Sequence, residues 1–284
     1  MNRTIPITFV TPCFCRGADC SDSGMPEIRP ASIRGQLHWW FRALGNSPQD
    51  ENAIFGSVHE RVGNVTTPRA SKVVIRVRVR EPLATESIPT LPHKTGGPAA
   101  PKKAIAPGTT FDLLVSTRLG GLTPSLEQKF CRALDAWLHL GALGLRATRG
   151  GGNFSFEGQP GTAEAYASAI RAFCPPIRAS LLPPSYTSAE AARKEITDTL
   201  ASDAFDRVHF PLGVIRPSRK TSPLRFRIVK VEGTFRIIAV WDTRQAVTGN
   251  TDADLSEAIA ILIRSNKKIG DALKDFMKTS STRP

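Results

Sequence analysis

The sequence predicts an α+β protein with two ferredoxin-like (RRM-like) units, of which the second is irregular. Three patterns support this prediction: a strand and an amphipathic helix at the start, then two strands, a helix and a short strand, and finally a hairpin followed by helices. The first six segments have the order β-α-β-β-α-β, which is typical of the ferredoxin-like fold. The 284 residues are enough for two such units, which we expect at 1–157 and 158–284.

The first helix is the most informative segment. A strand at Ile5–Val10 precedes it, and Ser32 is its expected N-cap. Helical periodicity predicts a core face that consists of Ile33, Leu37, Trp40, Phe41 and Leu44. The adjoining face carries three basic residues at a spacing of four, which are Arg34, His38 and Arg42. Trp39 lies almost opposite the core face, and an outward tryptophan beside arginine is typical of surfaces that stack nucleic-acid bases.

The second strand is expected at Lys72–Arg80, where apolar and basic residues alternate. A short connection at Asp50–Ser57 precedes it. The basic face of this strand carries Lys72, Arg76, Arg78 and Arg80. Alternate residues lie about 6.6 Å apart along a strand, close to the phosphate spacing of an extended single strand. The basic face is therefore either a phosphate-binding surface or the solvated side of an antiparallel sheet.

A proline-rich insertion at 82–107 follows this strand. Its candidate RNA contacts are Lys94, Lys102 and Lys103. A connection of this length inside a domain is usually functional or disordered. A third strand is expected at Phe111–Arg118, and Thr123-Pro124 predicts the start of a helix whose core face includes Trp137. A short strand near Phe156 ends the first unit.

The second unit is less regular. Helical segments are expected at 163–173 and 189–200, and paired prolines interrupt the chain between them. A two-stranded hairpin is expected at 224–241, and helices at 254–264 and 267–278 close the chain. These elements predict an incomplete, divergent ferredoxin-like unit with helical insertions.

The charge of the chain favours a polyanionic partner. Lys and Arg together number 38 and Asp and Glu number 25, which gives a formal net charge of +13. A strongly basic folded surface favours nucleic acid over acidic small molecules. No apolar run is long enough to cross a bilayer and no signal sequence is recognisable at the N-terminus, so we expect a cytoplasmic protein without membrane contact.

A run of glycines forms the second candidate site. The run and its neighbours comprise Arg146, Arg149, Gly150, Gly151, Gly152 and Asn153. Glycine lets a backbone approach a phosphate closely and present its N–H groups. The run lies between a helix and a strand and lacks a GKS or GKT ending, which disfavours nucleotide hydrolysis. It is therefore either an RNA-phosphate site or a flexible turn.

Metal binding is only weakly indicated. The five cysteines form an odd set in a chain with ample core, so free thiols are expected. The weak zinc candidates are Cys13, Cys15 and Cys20, which lack paired CxxC spacing and an identifiable fourth ligand. No cofactor is expected.

No complete catalytic motif is present in the sequence. The five histidines form no HxH, HxxxH or HExxH spacing, and there is no GxSxG. Metal-independent RNA cleavage needs only a histidine near a 2′-hydroxyl, which leaves His38 and His59 as candidates. A metal-bound water at a cut site would need a carboxylate, for which Asp19 and Asp22 are the candidates. We expect a protein that is not an enzyme, with an endoribonuclease as the alternative.

Five motifs of the chain resemble one family. They are TPCFCRGAD (Thr11–Asp19), EIRPASIRGQLHWWFRAL (Glu27–Leu44), AIFGS (Ala53–Ser57), LGALGLRATRGGGNF (Leu140–Phe154) and TSPLRFRIV (Thr221–Val229). On these motifs the chain resembles the RAMP superfamily of CRISPR effector proteins, and more narrowly subunit one of the Cmr complex, the type III-B effector. The resemblance covers most of residues 5–157 and the hairpin near 221–241. His38 and Phe41 depart from the family's more usual arginine- and tryptophan-rich helix.

The resemblance implies two ferredoxin-like units packed to form a basic cleft, no nuclease activity of the subunit's own, and a place at one end of a guide-RNA ribonucleoprotein in antiviral defence. The implied partners are guide RNA near its 3′ region, target RNA and other RAMP subunits. Carried onto this chain, the residues expected to face RNA are Arg29, Arg34, His38, Trp39, Arg42, Arg146, Arg149 and the backbone of Gly150–Gly152. Related subunits carry a thumb-like segment where this chain has its proline-rich insertion. A RAMP-superfamily endoribonuclease that processes guide RNA or cuts target RNA is the alternative.

Overall fold

The computed structural model describes residues 1–17, 19, 24–62, 65–92, 101–118, 120–200, 222–245, 249, 251–264 and 268–278. The described strands are β1 (Asn2–Phe9), β2 (Ser57–Val62), β3 (Val65–Arg69), β4 (Val73–Arg78), β5 (Thr85–Ile88), β6 (Lys102–Ile105), β7 (Thr110–Thr117), β8 (Phe154–Phe156), β9 (Ile177–Tyr186), β10 (Leu224–Val231) and β11 (Thr234–Asp242). The described helices are α1 (Pro30–Ala43), α2 (Pro48–Phe55), α3 (Pro124–Leu140), α4 (Ala163–Arg171), α5 (Ala189–Leu200), α6 (Asp252–Arg264) and α7 (Lys268–Lys278). Among these helices there is none with the length and apolar character needed to cross a membrane.

The first sheet confirms the ferredoxin-like prediction. Its strands lie in the order β4-β7-β1-β8, and each neighbouring pair is antiparallel. The first and third strands of the β-α-β-β-α-β series, β1 and β7, therefore occupy the centre. Alternation along β1 buries Ile5, Ile7 and Phe9 on one face, where they join a core with apolar side chains of α1 and α3. Trp137 of α3 is fully buried, as its helical spacing predicts.

The helices of the first unit begin at prolines. Arg29 rather than Ser32 is the N-cap of α1, because Pro30 takes the first helical position, where its fixed φ suits the helix. The connection expected at Asp50–Ser57 is instead mostly the helix α2. This helix forms because the Ser47 hydroxyl accepts the Asp50 N–H at 3.1 Å and satisfies one of the donors left free at a helix start.

The proline-rich insertion contains a hairpin, where the sequence predicts a long connection. β5 and β6 pair in antiparallel register, from Thr85 opposite Ile105 to Ile88 opposite Lys102. Cys13 and Ile105 exchange backbone hydrogen bonds of 3.0 and 2.9 Å, which join the base of the hairpin to the segment after β1. These partners are far apart in sequence, so composition alone does not reveal the pairing. Residues 93–100, which include Lys94, lie outside the described residues.

The second sheet repeats three strands of the first. Its order is β10-β11-β9, and both neighbouring pairs are antiparallel. In chain order, β9-α5-β10-β11-α6 matches the first five elements of the ferredoxin-like series, with its third strand in the centre. A fourth strand is not found in the described part of this unit. The irregular second unit expected from the sequence is thus a ferredoxin-like unit without its last strand in the described residues.

The two faces of the second sheet belong to different cores. One face packs on α5, α6 and α7 through residues that include Phe226, Ile228 and Ile237. The opposite face joins the core of the first sheet through Val229, Val231, Ile238 and Val240. Tyr166 of α4 also belongs to the core of the first sheet, so the two units share apolar contacts across the boundary expected at residue 157. That boundary itself stays a prediction.

Candidate nucleic-acid interface

A basic groove lies between the β5–β6 hairpin and the loop that follows α3. Its lining residues are Phe14, Cys15, Arg16, Gly24, Lys102, Lys103 and Leu145. Three of these residues are cations, and Leu145 adds an apolar side chain that is 45% exposed. Cations beside apolar surface suit the phosphates and bases of a single-stranded nucleic acid. The sequence predicts Lys102 and Lys103 as RNA contacts but not Arg16, because an isolated arginine in a loop forms no pattern.

Backbone pairing holds the two walls of this basic groove together. The segment 13–15 pairs with Ile105 of the hairpin on one side and with Leu145 on the other, where the Leu145 N–H donates to the Phe14 carbonyl at 3.1 Å. Gly144 permits this approach, because it has φ +79° and a Cβ there would lie 2.8 Å from the Phe14 carbonyl oxygen. The main chain therefore preforms the groove.

A buried arginine supports the groove from behind. Arg193 of α5 is 3% exposed, and its guanidinium lies 5.3 Å from the ring centroid of Phe14. Its Nη2 donates to the Thr90 carbonyl at 2.9 Å, which ties α5 to the segment after β5. Burial lowers the pKa of Arg193 to about 10, so the side chain remains a cation at neutral pH. Arg193 therefore positions Phe14 rather than facing solvent.

The glycine run does not present its N–H groups to a ligand, which contradicts the phosphate-loop prediction. The N–H groups of Gly150, Gly151 and Gly152 donate within the chain, to the carbonyls of Phe226, Arg146 and Pro12 at 3.2, 3.0 and 2.9 Å respectively. All three glycines are buried. Gly152 has φ +61°, and a Cβ there would lie 1.7 Å from the Leu143 carbonyl oxygen. Glycine is required here because the backbone packs against other backbone, not against a phosphate.

Asn153 is likewise a structural residue, which corrects its assignment as an RNA contact. It is fully buried, its side-chain oxygen accepts the Ile228 N–H at 2.9 Å, and its own N–H donates to Thr11 Oγ1 at 2.8 Å. The Phe226 N–H donates to the Thr148 carbonyl at 3.0 Å. The loop from Thr148 to Asn153 therefore runs along an edge of β10 and joins the two sheets. A glycine run predicts a close backbone approach, but it does not reveal which surface is approached.

Two basic residues on the outer face of α1 contact the end of α2. Arg34 donates to the Phe55 carbonyl and, at 3.1 Å, to the Ser71 hydroxyl. Burial, followed by the nearby charge of Arg118, lowers the pKa of the Arg34 guanidinium. The ring of His38 lies 4.1 Å from the ring of Phe55, centroid to centroid. Both side chains lie on the face of α1 that the helical spacing predicts, and both contact Phe55 at the end of α2.

Glu51 of α2 binds both Arg42 and His38. Arg42 Nε donates to both carboxylate oxygens of Glu51 at 2.9 and 2.7 Å, and His38 Nδ1 is hydrogen-bonded to the same carboxylate. Burial alone would raise the pKa of Glu51, but the hydrogen bonds from Arg42 and His38 outweigh it and hold that pKa below its usual value. The Arg42 side chain is still 60% exposed, so it is available at the surface.

Arginines of the second sheet lie against the ring of Trp39, which is half-buried although its helical position predicts an outward side chain. Arg225 of β10 lies 3.8 Å from the Trp39 ring and Arg244 lies 5.4 Å from it. Asp242 holds Arg244 through hydrogen bonds of 2.9 and 2.7 Å. Burial lowers the pKa of Arg225 to about 10. Trp39 therefore forms cation–π contacts that join α1 to the second sheet, and its stacking on an RNA base stays a prediction.

Arg227 is the buried cation that sequence reasoning misses. It is 1% exposed, and its guanidinium donates to the Gly141 carbonyl at 2.9 Å and the Phe154 carbonyl at 2.7 Å, with a longer bond of 3.3 Å to Trp137. It lies at the end of α3, where the helix dipole favours a cation. Burial lowers its pKa. Strand alternation predicts a solvated arginine here, because the sequence does not show that both faces of β10 are covered.

The remaining predicted RNA contacts are divided between the surface and the undescribed segments. Arg29 is exposed, and Arg146 is exposed with φ +61°. Arg149 is half-buried, and burial together with the charge of Arg146 lowers its pKa. Lys94 lies outside the described residues. Two of the nuclease candidates, Asp22 and the side chain of His59, lie outside them as well. The exposed members stay predicted RNA contacts.

Two cysteine thiols lie side by side under the groove. The Sγ atoms of Cys13 and Cys15 are 3.0 Å apart, and both thiols are free and buried. Burial raises the pKa of Cys13, whereas the hydrogen bond from Cys13 lowers that of Cys15. In the part of the chain that is described, no three His, Cys, Asp or Glu side chains are grouped so as to hold a metal ion. Cys20, the third zinc candidate, lies outside that part.

A model of one protein family matches the chain from β1 into β8. It is the RAMP superfamily, and the match spans residues 6–155. The chain belongs to the RAMP superfamily. The matched RAMP region contains most of the first sheet, the helices α1, α2 and α3, and every lining residue of the basic groove.

Two curated proteins that the chain resembles are Cmr subunits of Pyrococcus furiosus. The chain is 36% identical to CRISPR system Cmr subunit Cmr1-2 over 81 residues, which cover 25% of this chain and 37% of the relative. It is 28% identical to Cmr1-1 over 141 residues, which cover 45% of this chain and 40% of the relative. The matches therefore span less than half the length of these relatives.

Two solved structures share the fold. The crystal structure of Cmr1 from Pyrococcus furiosus in its apo form has a TM-score of 0.52 at 18% identity, with 85% of this chain and 87% of that chain covered. A chain of the cryo-EM structure of the type III-B Cmr-beta complex bound to cognate target RNA and AMPPnP has a TM-score of 0.56 at 12% identity, with 96% and 99% covered. At these identities the likeness concerns the fold alone, and it agrees with the two ferredoxin-like sheets described above.

Proposed function

We propose that this RAMP protein is a non-catalytic RNA-binding subunit of a type III-B CRISPR (Cmr) effector complex in the cytoplasm. In that role it contacts guide RNA near its 3′ region, target RNA or both, beside other RAMP subunits, in antiviral defence. Membership of the RAMP superfamily, the similarity to two Cmr subunits and the net charge of +13 support this proposal. The observation that carries it is the basic groove, which the main chain preforms.

The basic groove contacts the sugar-phosphate backbone of the RNA and does not distinguish between base sequences. Arg16, Lys102 and Lys103 place positive charge around the opening, where phosphates are attracted without regard to the base. The exposed Leu145 side chain offers apolar surface to an unpaired base or a ribose. The walls are joined by backbone hydrogen bonds, so little ordering is needed when RNA binds.

A charge-matched pair of variants tests this role. Lys102→Gln with Lys103→Gln removes two groove cations, while Lys194→Gln with Lys274→Gln removes two exposed lysines of α5 and α7. For the groove variant we expect weaker binding of single-stranded RNA and a salt dependence that is shallower by about 1.4, because each lost phosphate contact in a single strand contributes about 0.7 to the slope of log affinity against log salt. The control variant keeps the wild-type slope. Equal behaviour of the two variants, measured by fluorescence anisotropy, would overturn the groove as the RNA site.

One contact favours an endoribonuclease as the second candidate. His38 is held by the carboxylate of Glu51, and a histidine oriented by a carboxylate is a common general base. The same carboxylate is bound by Arg42, and His38 packs on Phe55, so the group also serves as a tie between two helices. Incubation with repeat RNA and with a guide–target duplex, with and without Mg²⁺, separates the candidates. If the RNA is cut at specific positions and His38→Gln abolishes the cutting, the protein is an endoribonuclease and the non-catalytic proposal is wrong.

A further inference from the structure

The face of the first sheet that is turned away from α1 and α3 carries a row of cations along its edge strand. Val73 of β4 is buried, and Ile75 and Val77 pack against the core. The opposite face of this strand and its immediate ends carry the arginine row, defined as Lys72, Arg76, Arg78 and Arg80. β4 has β7 as its neighbour on one side and is the first strand of the sheet, so the row follows an edge.

A single carboxylate orients two members of the arginine row. Asp112 of β7 lies directly opposite Arg78 in the sheet register and is 2% exposed. It accepts hydrogen bonds of 2.9 and 2.7 Å from Arg78 and of 2.8 and 3.0 Å from Arg80. The two arginine side chains remain 55% and 63% exposed. Their guanidinium groups are therefore fixed in orientation while part of each still faces solvent.

The charge of this face is one-sided. Asp112 neutralises one of the four positive charges in the row, which leaves a net charge of about +3 on the strand at neutral pH. Arg76 is exposed, and the described residues offer it neither a hydrogen bond nor an ion pair. Apart from Asp112, the side chains that share this face on β7 and β1 are uncharged, and they include Thr4, Pro6, Leu114 and Ser116. A line of cations beside a surface that is uncharged apart from the paired Asp112 is complementary to an extended polyanion.

We propose that the arginine row is a second RNA track, which binds the phosphates of single-stranded RNA independently of the basic groove. The proposal rests on the proposed function for its ligand class, but it uses different residues on a different face. Arg76 and Arg78 are alternate residues of β4, and residues at that spacing lie about 6.6 Å apart, which lets the two guanidinium groups meet consecutive phosphates of an extended strand. Arginine binds phosphate through paired N–H groups in one plane, and the row has three arginines. Contacts between guanidinium groups and phosphates carry no base information, so binding at the row is independent of sequence.

The test removes two charges from the row without leaving Asp112 unpaired. Arg76→Gln with Arg78→Gln keeps Arg80 on Asp112, and Lys194→Gln with Lys274→Gln is again the charge-matched control. A labelled oligouridylate of about 20 nucleotides is titrated by fluorescence anisotropy at several salt concentrations. We expect the slope of log affinity against log salt to become shallower by about 1.4 for the row variant and to stay unchanged for the control. Combination with the groove variant adds the two changes.

Each outcome decides between the two sites. If the row variant binds RNA as the control does while the groove variant loses affinity, the arginine row is not an RNA-binding site and the proposed function still holds. Unchanged RNA binding with lost assembly of the effector complex assigns the face to an acidic protein partner and also overturns the track. Failure of the wild type to bind the oligouridylate overturns both proposals. If the double variant melts at a lower temperature than the wild type, Arg76→Gln alone is used instead. A slope of log affinity against log salt that is shallower by about 0.7 for Arg76→Gln, and restored by Arg76→Lys, is expected only if Arg76 contacts a phosphate.

Discussion

Replacement of Arg227 by methionine tests whether a buried cation joins the two sheets. Methionine keeps much of the aliphatic length of arginine and removes the guanidinium, so the packing of the stem is largely retained. Two short hydrogen bonds are lost, of 2.9 Å to Gly141 and 2.7 Å to Phe154, and a third of 3.3 Å to Trp137. The Trp137 carbonyl still accepts the Gly141 N–H at 2.8 Å, so the carbonyls of Gly141 and Phe154 lose most.

The magnitude follows from these two bonds. Hydrogen bonds from a charged donor contribute about 1.5–3 kcal/mol each, which gives a gross loss of about 3–6 kcal/mol. Part of this loss is offset, because the variant no longer buries a cation without a carboxylate partner, a burden shown by the lowered pKa of Arg227. We therefore expect Arg227→Met to lower the free energy of unfolding by about 2–4 kcal/mol.

Urea denaturation followed by tryptophan fluorescence measures this loss. Lys230→Met is the matched control, since Lys230 is an exposed cation on the same strand and its removal is expected to cost less than about 0.5 kcal/mol. If Arg227→Met and Lys230→Met unfold at the same urea concentration with equal slopes, the hydrogen bonds of Arg227 do not stabilise the fold and the reasoning fails.

Two further predictions concern the glycine run and the pH dependence of stability. Gly152→Ala is expected to lower the free energy of unfolding by more than about 2 kcal/mol, because residue 152 has a left-handed backbone conformation and the new Cβ would collide with the Leu143 carbonyl. Gly158→Ala is the control: it has φ +84° but open space around the new Cβ, so it is expected to lose only about 1 kcal/mol. Hydrogen bonds from Arg80 and Arg78 lower the pKa of Asp112 in the folded state, so its stabilising contribution is present above the unfolded pKa near 4 and is lost as the pH falls through the folded value. The difference in unfolding free energy between wild type and Asp112→Asn is thus constant at neutral pH and shrinks in acid. A difference that grows in acid would contradict this sign.

In helix α1, helical periodicity correctly predicts the buried face but not the contacts of the outer side. Its spacing places Ile33, Leu37, Trp40 and Phe41 in the core, and all four are buried. The same spacing places Trp39 on the other side of the helix, yet there it meets Arg225 and Arg244. Periodicity describes one helix against a generic core and a generic solvent, so it does not reveal a second sheet that covers the outer side.

Composition predicts only part of the candidate site. It indicates Lys102 and Lys103 as RNA contacts, and both line the basic groove. Their neighbours Phe14 and Arg16 come from a segment almost a hundred positions earlier, and only the pairing of Cys13 with Ile105 brings the two segments together. Contacts between distant segments depend on the packing of the whole chain, and a single sequence does not display them.

Alternation, helical spacing and charge predict the first ferredoxin-like sheet, the buried faces of its helices and the basic character of the protein. These patterns act over a few residues or as a sum over the chain, so one sequence is enough to read them. That Gly150–Gly152 and Asn153 join two sheets, and that Arg227 is buried between them, is seen only in the folded chain. A glycine or an arginine has the same local preferences at a ligand site and at a contact between two sheets, so the surrounding surface determines which role it takes.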